Sequence, residues 1–117
     1  MDMASLRYVV LHHEGYGEAH FDIMLETAPG SALKTWRSSQ WPLQSGITLQ
    51  SIADHRRAYL DYQGPISGGR GSVRQVQSGT FELIKRGLDE FQIEMGGSQI
   101  TMRKSGPDSW QCQMDAP

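Results

Sequence analysis

The sequence has a single cysteine, Cys112, which excludes both an intramolecular disulfide and a zinc site built from several cysteines. It also lacks any apolar run near the roughly 20 residues that a membrane-spanning helix needs. Its first residues have no basic-then-apolar pattern of the kind that marks a secretion signal. We therefore expect a cytoplasmic protein without a membrane partner.

The chain has little excess charge of either sign. Eleven Lys and Arg residues stand against 13 Asp and Glu residues, which gives a formal net charge of -2. This balance argues against broad, salt-driven binding to nucleic acid but leaves room for a small positive groove. No Gly-x-Ser-x-Gly motif is present, and Cys112 is distant in sequence from every histidine, so nucleophilic catalysis by serine or cysteine has no support.

No window carries a 3.6-residue apolar stripe three turns long, so the sequence contains no convincing long helix. At 117 residues it has the length of one domain, 1–117. Short alternating segments recur about every ten residues between turn signals, which predicts an all-β, mainly antiparallel barrel or sandwich with at most one or two short helical turns. The predicted extended segments are Leu6–His12, His20–Glu26, Leu33–Arg37, Ile47–Ile52, Arg57–Tyr62, Ser72–Gln77, Thr80–Lys85, Glu90–Met95, Gln99–Arg103 and Trp110–Met114.

Two glycine-containing dipeptides predict turns between these segments. Gly96-Gly97 separates two alternating runs and is a strong signal for a two-residue hairpin. Ser78-Gly79 predicts a turn between two further strands. The three tryptophans are expected in the core rather than on a base-stacking surface.

The second predicted strand has potential metal ligands on one face. His20 and Asp22 are two residues apart, so their side chains share a face and their Cα atoms lie about 7 Å apart. That face continues through Met24 to Glu26, and we expect it to be turned toward a cleft or solvent while the apolar alternates pack inward. Solvated polar positions on an amphipathic sheet are the alternative interpretation.

A histidine at the end of the first strand would add a third ligand to this pair. Two imidazoles and one carboxylate suit Mn²⁺, Fe²⁺ or Zn²⁺. His12 and His13 are both available, but alternation puts His13 in phase with Val9 and Leu11, so the two rings should point to opposite faces.

A locally basic stretch follows the predicted sheet strands of the first half. His55 precedes Arg56 and Arg57, a combination that can bind phosphate or donate a proton to a leaving oxygen. Gly64–Gly71, which contains Arg70, could bring backbone N–H groups to a phosphate, although the lysine of a P-loop is missing. An ordinary charged turn and a mobile hairpin are the alternatives for these two segments.

Five segments, taken in chain order, carry a more specific signal. They are RYVVLHH at Arg7–His13, HFDIMLE at His20–Glu26, LKTW at Leu33–Trp36, DHRRAYLDYQGPI at Asp54–Ile66, and the residues from Gly71 to Glu82. This series resembles the 3′-phosphoesterase domain of bacterial DNA ligase D, whose second motif is His-Tyr-Asp-Phe-Arg-Leu-Glu. The resemblance covers nearly the whole chain and implies a compact, small antiparallel β-barrel with a crescent-shaped groove.

The resemblance implies an activity and a set of site residues. His13, His20 and Asp22 match the family's metal ligands, with Mn²⁺ preferred and Zn²⁺ or Co²⁺ as other options. His55 matches a histidine that contacts the scissile phosphate, and Tyr59 matches a tyrosine near it. The matching catalytic lysine is Lys34.

The substrates implied are nucleic-acid 3′ ends on primer-template DNA or RNA/DNA. The family removes a terminal ribonucleoside and then the remaining 3′-phosphate, which leaves a 3′-OH ready for ligation in DNA repair. Polymerase and ligase segments are missing from the sequence, so separate polypeptides would supply those activities.

The chain departs from the family at two arginine positions, where it has Met24 and Ile47. Losing two guanidinium groups removes bidentate phosphate contacts, for which Arg56, Arg57 and Arg70 are the candidate replacements. Two alternative functions therefore stay open. One is a weak or inactive module that binds nucleic-acid ends or a partner and retains the metal site. The other is a metal phosphodiesterase that acts on a small or RNA substrate.

Overall fold

The structure is a computed structural model that describes residues 5–115. Within these residues the chain forms nine β-strands and one 3₁₀ helix. Their bounds are β1 Leu6–Glu14, β2 His20–Glu26, β3 Leu33–Ser38, β4 Thr48–His55, the 3₁₀ helix Arg57–Asp61, β5 Gly64–Pro65, β6 Ser72–Arg86, β7 Glu90–Met95, β8 Ser98–Lys104 and β9 Ser109–Asp115.

Eight of the strands close into an antiparallel barrel. The order around the wall is β1-β2-β3-β4-β9-β8-β7-β6, and β6 pairs back onto β1 over Leu6–Glu14. The two-residue strand β5 pairs with the start of β6. The prediction of an all-β antiparallel barrel with at most one or two helical turns is confirmed.

One face of each strand is turned into the barrel and buries its apolar side chains there. Trp36, Phe91 and Trp110 pack edge-to-face, with ring centroids 5.1, 5.6 and 6.0 Å apart. Such offset aromatic pairs are favoured over face-to-face stacks. Trp41 packs against the same core, so the expectation for the three tryptophans is confirmed.

The outer face of β1 and β2 is also buried. Val9, Leu11 and Met24 form a second apolar cluster there with Leu60 of the 3₁₀ helix. The helix and the segment after it therefore cover part of the barrel wall, and the polar face expected of β2 opens to the surface only at the His20 end. Met24 and Glu26, expected to face a cleft or solvent, are 1% and 4% exposed.

The prediction of an extended segment over Arg57–Tyr62 is wrong. Residues 57–61 turn as a 3₁₀ helix, with the Tyr59 amide bonded to the Arg56 carbonyl at 3.1 Å. No strand within residues 5–115 pairs with this stretch. A single turn instead buries Leu60 against the wall.

The predicted turn at Ser78-Gly79 is also wrong, because β6 continues through it as a single 15-residue strand. Gly79 lies opposite Tyr8, and a Cβ on Gly79 would be 3.5 Å from the Tyr8 ring. The glycine leaves room for an aromatic side chain rather than forming a turn. The hairpin at Gly96-Gly97 is confirmed: Met95 pairs with Ser98, and both glycines have positive φ, as a type I′ turn requires.

An ion pair between the half-exposed Arg57 and the buried Glu26 fastens the 3₁₀ helix to the barrel wall. The Arg57 guanidinium donates to Glu26 and to the Ser31 carbonyl, and Glu26 also accepts the backbone N–H groups of Arg7 and Gly30. Burial by itself would raise the pKa of Glu26, but the hydrogen bonds from Arg57, Arg7 and Gly30 outweigh it, so the pKa lies below its ordinary value of 4.5.

No helix in the part of the chain that the structure describes is long and apolar enough to span a membrane.

We predict that this ion pair makes stability depend on pH in the acid range. The folded protein keeps Glu26 ionised at a pH where the unfolded chain is already protonating it. The contribution of Glu26 to the free energy of unfolding should therefore be fully present above about pH 4.5 and be lost as the pH falls through the lowered pKa of the folded state. Glu26→Gln should lower the free energy of unfolding by about 2 kcal/mol at pH 7 and reduce this acid dependence.

Urea unfolding of both proteins at pH 7 and pH 3.5 tests this prediction. Glu82→Gln is the matched control, because Glu82 is exposed and its side chain has no partner among the described residues. An equal loss of stability in the two variants would contradict a structural role for Glu26.

Candidate functional site

A groove of about 990 Å³ runs along the outer wall of the barrel. Loop residues 16–19 and Arg70 border one end, and Pro107, Asp108 and Ser109 border the other. Asp22 and Met24 of β2 line it between these ends, below the 3₁₀ helix. The groove is thus a strip of the outer wall that neither the 3₁₀ helix nor these two loops cover, and it lies beside the second apolar cluster.

Three of the predicted site residues converge in this groove. β1 pairs with β2 so that His13 lies opposite His20, and the His13 Nδ1 and His20 Nε2 atoms are 3.2 Å apart. The His20 Nε2 atom is 3.4 Å from Oδ2 of Asp22. One ligand atom from each of the three residues lies within 4.8 Å of the others.

The outer nitrogen of each imidazole has a backbone carbonyl as its partner. His13 Nε2 is 2.7 Å from the Arg70 oxygen, and His20 Nδ1 is 3.0 Å from the Glu18 oxygen. A carbonyl only accepts hydrogen bonds, so these ring nitrogens carry the protons. In the neutral rings, His13 Nδ1 and His20 Nε2 then present lone pairs to each other and to the Asp22 carboxylate.

Two lone pairs and a carboxylate at these distances repel one another, and either a proton on one inner ring nitrogen or a metal ion between the three groups relieves that repulsion. Carbonyl partners on the outer ring nitrogens are the usual second shell of a histidine metal ligand. The nitrogen and oxygen donors suit Mn²⁺, Fe²⁺, Co²⁺ or Zn²⁺. The residues present therefore fit a divalent metal ion.

His12 lies on the other face of β1, as alternation predicted. Its ring stacks on Phe21 at a centroid distance of 4.6 Å, and its Nδ1 atom is 2.9 Å from a Glu14 carboxylate oxygen. The prediction that the His12 and His13 rings point to opposite faces is confirmed.

His55 and Tyr59 line the same groove. His55 ends β4, and its Nδ1 donates to the Ala53 carbonyl at 3.0 Å, which leaves Nε2 available. The two rings meet edge-to-face at 5.5 Å. The Tyr59 hydroxyl has no hydrogen-bond partner among residues 5–115, so it is available to a ligand.

The other predicted site residues lie elsewhere or are already engaged. Lys34 is on the opposite face of β3 from the groove, where its Nζ donates to Ser51 Oγ at 2.8 Å and lies 5.1 Å from the centroid of the Trp36 ring. Arg57 is bound to Glu26, and Arg56 is exposed outside the groove lining.

Arg70 lines the groove, but its guanidinium folds back onto its own loop. Its Nε donates to the Ser67 carbonyl at 2.8 Å, and its Nη2 is 3.3 Å from the Ser67 hydroxyl. The contact that Arg70 makes with the cluster is through its backbone carbonyl, which accepts from His13. Sequence reasoning singled out the guanidinium and missed the carbonyl.

Arg37 is a groove residue that the sequence analysis did not identify. It lies opposite Asp22 in the β2–β3 pairing, and its Nε donates to Asp22 Oδ1 at 3.2 Å. Alternation along β3 puts Arg37 on the same face as Leu33 and Thr35. Its position opposite Asp22, however, depends on the register between β2 and β3, which cannot be read from either strand alone.

The two residues that the resemblance aligns with arginines are apolar and lie in apolar surroundings. Met24 is buried in the outer apolar cluster next to the groove, and Ile47 packs against the barrel core. Cys112 is buried in that core, and burial raises the pKa of its thiol to about 11, so the thiol is protonated at neutral pH.

Gly71 fixes the loop that carries the Arg70 carbonyl. Its φ is +80°, and a Cβ there would be 2.0 Å from the Glu14 carbonyl oxygen. The backbones at the ends of β1 and the 66–71 loop therefore touch directly. This contact holds the Arg70 carbonyl against the His13 ring.

We predict that Gly71→Ala destabilises the protein more than Gly97→Ala. Gly97 has almost the same φ, +82°, but has no atom within 4 Å of the Cβ position. The control should cost about 1 kcal/mol for the left-handed backbone, whereas Gly71→Ala must also displace Glu14 and should cost at least about 2 kcal/mol. Urea unfolding of the two variants measures the difference, and equal costs would contradict the close backbone contact.

No protein-family model and no curated protein matches this chain.

Proposed function

We propose that this protein is a divalent-metal-dependent phosphoesterase that acts on the 3′ ends of nucleic acid. The observation that carries the proposal is the His13, His20 and Asp22 cluster, in which one ligand atom from each residue lies within 4.8 Å of the others while the outer nitrogen of each imidazole faces a backbone carbonyl. His55, Tyr59 and Arg37 line the same groove and could contact a phosphate near it.

The cluster residues would hold the metal, and the carbonyls of Arg70 and Glu18 would fix the orientation of the two rings. A divalent ion bound there would polarise a phosphoryl oxygen and lower the pKa of a water molecule. Asp22 is 3% exposed, which shields its charge from bulk solvent and strengthens its attraction for a cation.

His55 and Tyr59 would act on the phosphate itself. The hydrogen bond from His55 Nδ1 to Ala53 fixes the ring, so a proton on Nε2 could pass to the oxygen that leaves phosphorus. The Tyr59 hydroxyl would donate a hydrogen bond to a non-bridging phosphoryl oxygen and stabilise the charge that develops there. Neither group is sequestered by another side-chain hydrogen bond within residues 5–115.

The choice of substrate rests on the resemblance to the 3′-phosphoesterase domain of bacterial DNA ligase D. On that basis the substrates would be a 3′-terminal ribonucleotide or 3′-phosphate on a primer-template, and Mn²⁺ would be the preferred ion. The protein would act in the cytoplasm in DNA repair, with ligase and polymerase activities supplied by separate polypeptides. The groove is only partly enclosed, which suits the end of a strand better than a fully enclosed small molecule.

We predict that metal binding depends on the three cluster residues and not on His12. Asp22→Asn and His20→Ala should each weaken Mn²⁺ binding by about a hundredfold or more, because the first removes the negative charge of the site and the second removes one of its three ligands. His12→Ala is the matched control, since its ring lies one residue away from His13 on the opposite face. Electron paramagnetic resonance of free Mn²⁺ gives the affinities, and an equal loss in His12→Ala would contradict the assignment.

We predict metal-dependent turnover of 3′-blocked ends. End-labelled primer-templates carrying a 3′-phosphate or a single 3′-ribonucleotide should be dephosphorylated or shortened with Mn²⁺ but not with EDTA. Asp22→Ala should eliminate turnover, and His55→Ala should reduce it by about a hundredfold to ten-thousandfold. A gel assay resolves the products, and a small phosphodiester added as competitor tests the alternative substrate.

A folded, Mn²⁺-bound protein without turnover on either end would contradict the proposed activity. Saturable binding to those ends in the same experiment would then favour an end-binding module. Met24 and Ile47, which have no charge to offer a phosphate, would be the structural reason for that outcome.

A further inference from the structure

A row of side chains crosses four strands along the groove. The strand registers put Asp22 opposite Arg37, Arg37 opposite Gln50, and Gln50 opposite Ser109. Directly opposed residues share a face of the sheet, so all four project from the outer wall, and all four line the groove. The row begins at the histidine cluster and continues away from it toward β9.

Arg37 is anchored at one end and free at the other. Its Nε atom donates to Asp22 Oδ1, and its side chain makes no other hydrogen bond or ion pair within residues 5–115. The Arg37 side chain is 38% exposed, whereas that of Asp22 is 4% exposed. The terminal Nη1 and Nη2 groups therefore retain their N–H donors and have access to the groove.

The two oxygens of Asp22 serve different partners. Oδ1 accepts from Arg37, while Oδ2 is the oxygen nearest to His20. One carboxylate thus fixes the guanidinium at a set position beside the cluster. An arginine that is already anchored loses less side-chain freedom when it binds a second group.

We propose that Arg37 binds the phosphate group of the substrate through its free Nη atoms, next to the histidine cluster. This inference rests on the proposed phosphoesterase function. A guanidinium presents parallel N–H donors that match two oxygens of a phosphate. Gln50 and Ser109 continue the row as neutral hydrogen-bonding groups, which do not compete with a phosphate for the guanidinium. Asp108 also lines the groove but forms no ion pair with Arg37 in the described chain.

The charges in the row favour an anion. Within the row, Asp22 and Arg37 cancel each other's formal charge, so a divalent cation at the cluster would give the row two positive charges; Glu18 and Asp108 line the groove outside the row. A phosphate monoester carries a charge of about −1.5 to −2 at pH 7 and would neutralise them.

Inorganic phosphate tests the inference without requiring turnover. Its affinity is measured by isothermal titration for the wild-type protein, Arg37→Gln and Arg37→Lys, each with and without Mn²⁺. Arg37→Gln should weaken phosphate binding by about tenfold to a hundredfold. Arg37→Lys should give an intermediate loss, because lysine keeps the charge but not the paired donors.

Mn²⁺ binding separates this role from a structural one. Arg37→Gln removes the positive charge beside Asp22, so its affinity for Mn²⁺ without phosphate should be unchanged or higher. A disrupted site would instead lose affinity for both ligands, and that result would overturn the inference. Arg86→Gln is the charge-matched control, because Arg86 is exposed at the end of β6, away from the groove.

Two outcomes distinguish this inference from the proposed function. If Mn²⁺ binds to the wild-type protein and phosphate binds equally well to Arg37→Gln, the inference fails and the phosphoesterase proposal stands. If Mn²⁺ does not bind, the proposed function fails, and the metal-free phosphate titration still decides the role of Arg37.

A final arm identifies the source of the phosphate. A DNA oligonucleotide with a 3′-phosphate is compared with the same oligonucleotide without it. A preference for the phosphorylated end that Arg37→Gln abolishes supports the inference for nucleic-acid ends. A preference that survives in Arg37→Gln overturns it.

Discussion

The pairing of β1 with β6 closes the barrel, and the candidate site depends on that closure as much as the core does. The pairing runs from Leu6 opposite Phe81 to Glu14 opposite Ser72. It encloses the aromatic core and also brings the end of the 66–71 loop against the end of β1. The Arg70 carbonyl can orient His13 because these two chain segments, 57 residues apart, meet there.

Side-chain alternation puts the apolar core residues on the inner face of the barrel wall and the polar groove residues on its outer face. Inward residues of β2 and β3 join the aromatic core, whereas Asp22 and Arg37 project outward. Part of the outer wall is apolar too, since the 3₁₀ helix covers it and is fastened by the Glu26–Arg57 pair. The groove is the strip of outer wall between that cover and the loop before β9.

Much of the fold could be predicted from the sequence because local patterns determine it. Alternation identified β1, β2 and the opposite orientations of His12 and His13, and two glycines with positive φ identified the β7–β8 hairpin. The predictions of secondary structure that were wrong concern positions where tertiary contacts, rather than local sequence, determine the backbone conformation. Gly79 stands in a strand because Tyr8 packs over it, and the turn at 57–61 forms because Leu60 is buried against the wall.

The same division applies to the site. His20 and Asp22 converge because they are two residues apart on one strand, which any extended segment guarantees. His55 and Tyr59 reach the groove from a different part of the chain; the basic residues beside His55 pointed to it, whereas only the family resemblance pointed to Tyr59. Lys34 was predicted to be catalytic but lies on the face of β3 away from the groove. Arg37, which the sequence analysis did not identify, lies on the face that lines it. Whether an arginine is free or engaged, as for Arg37 and Arg57, depends on carboxylates that are distant in sequence.

The alternation along β2 has a consequence for how this protein tolerates changes in length. Each residue of β2 faces either the aromatic core or the outer wall, and the next residue faces the other side. A one-residue insertion or deletion between His20 and Asp22 would reverse every later position, turning Asp22 into the core and Ile23 outward. A substitution in β2 changes only the face on which that residue lies. The insertion or deletion of one residue would disturb both the apolar core face and the face that carries the proposed metal ligands. We therefore expect changes in chain length to be tolerated best in exposed connections such as that between β6 and β7, where Leu88 is 94% exposed.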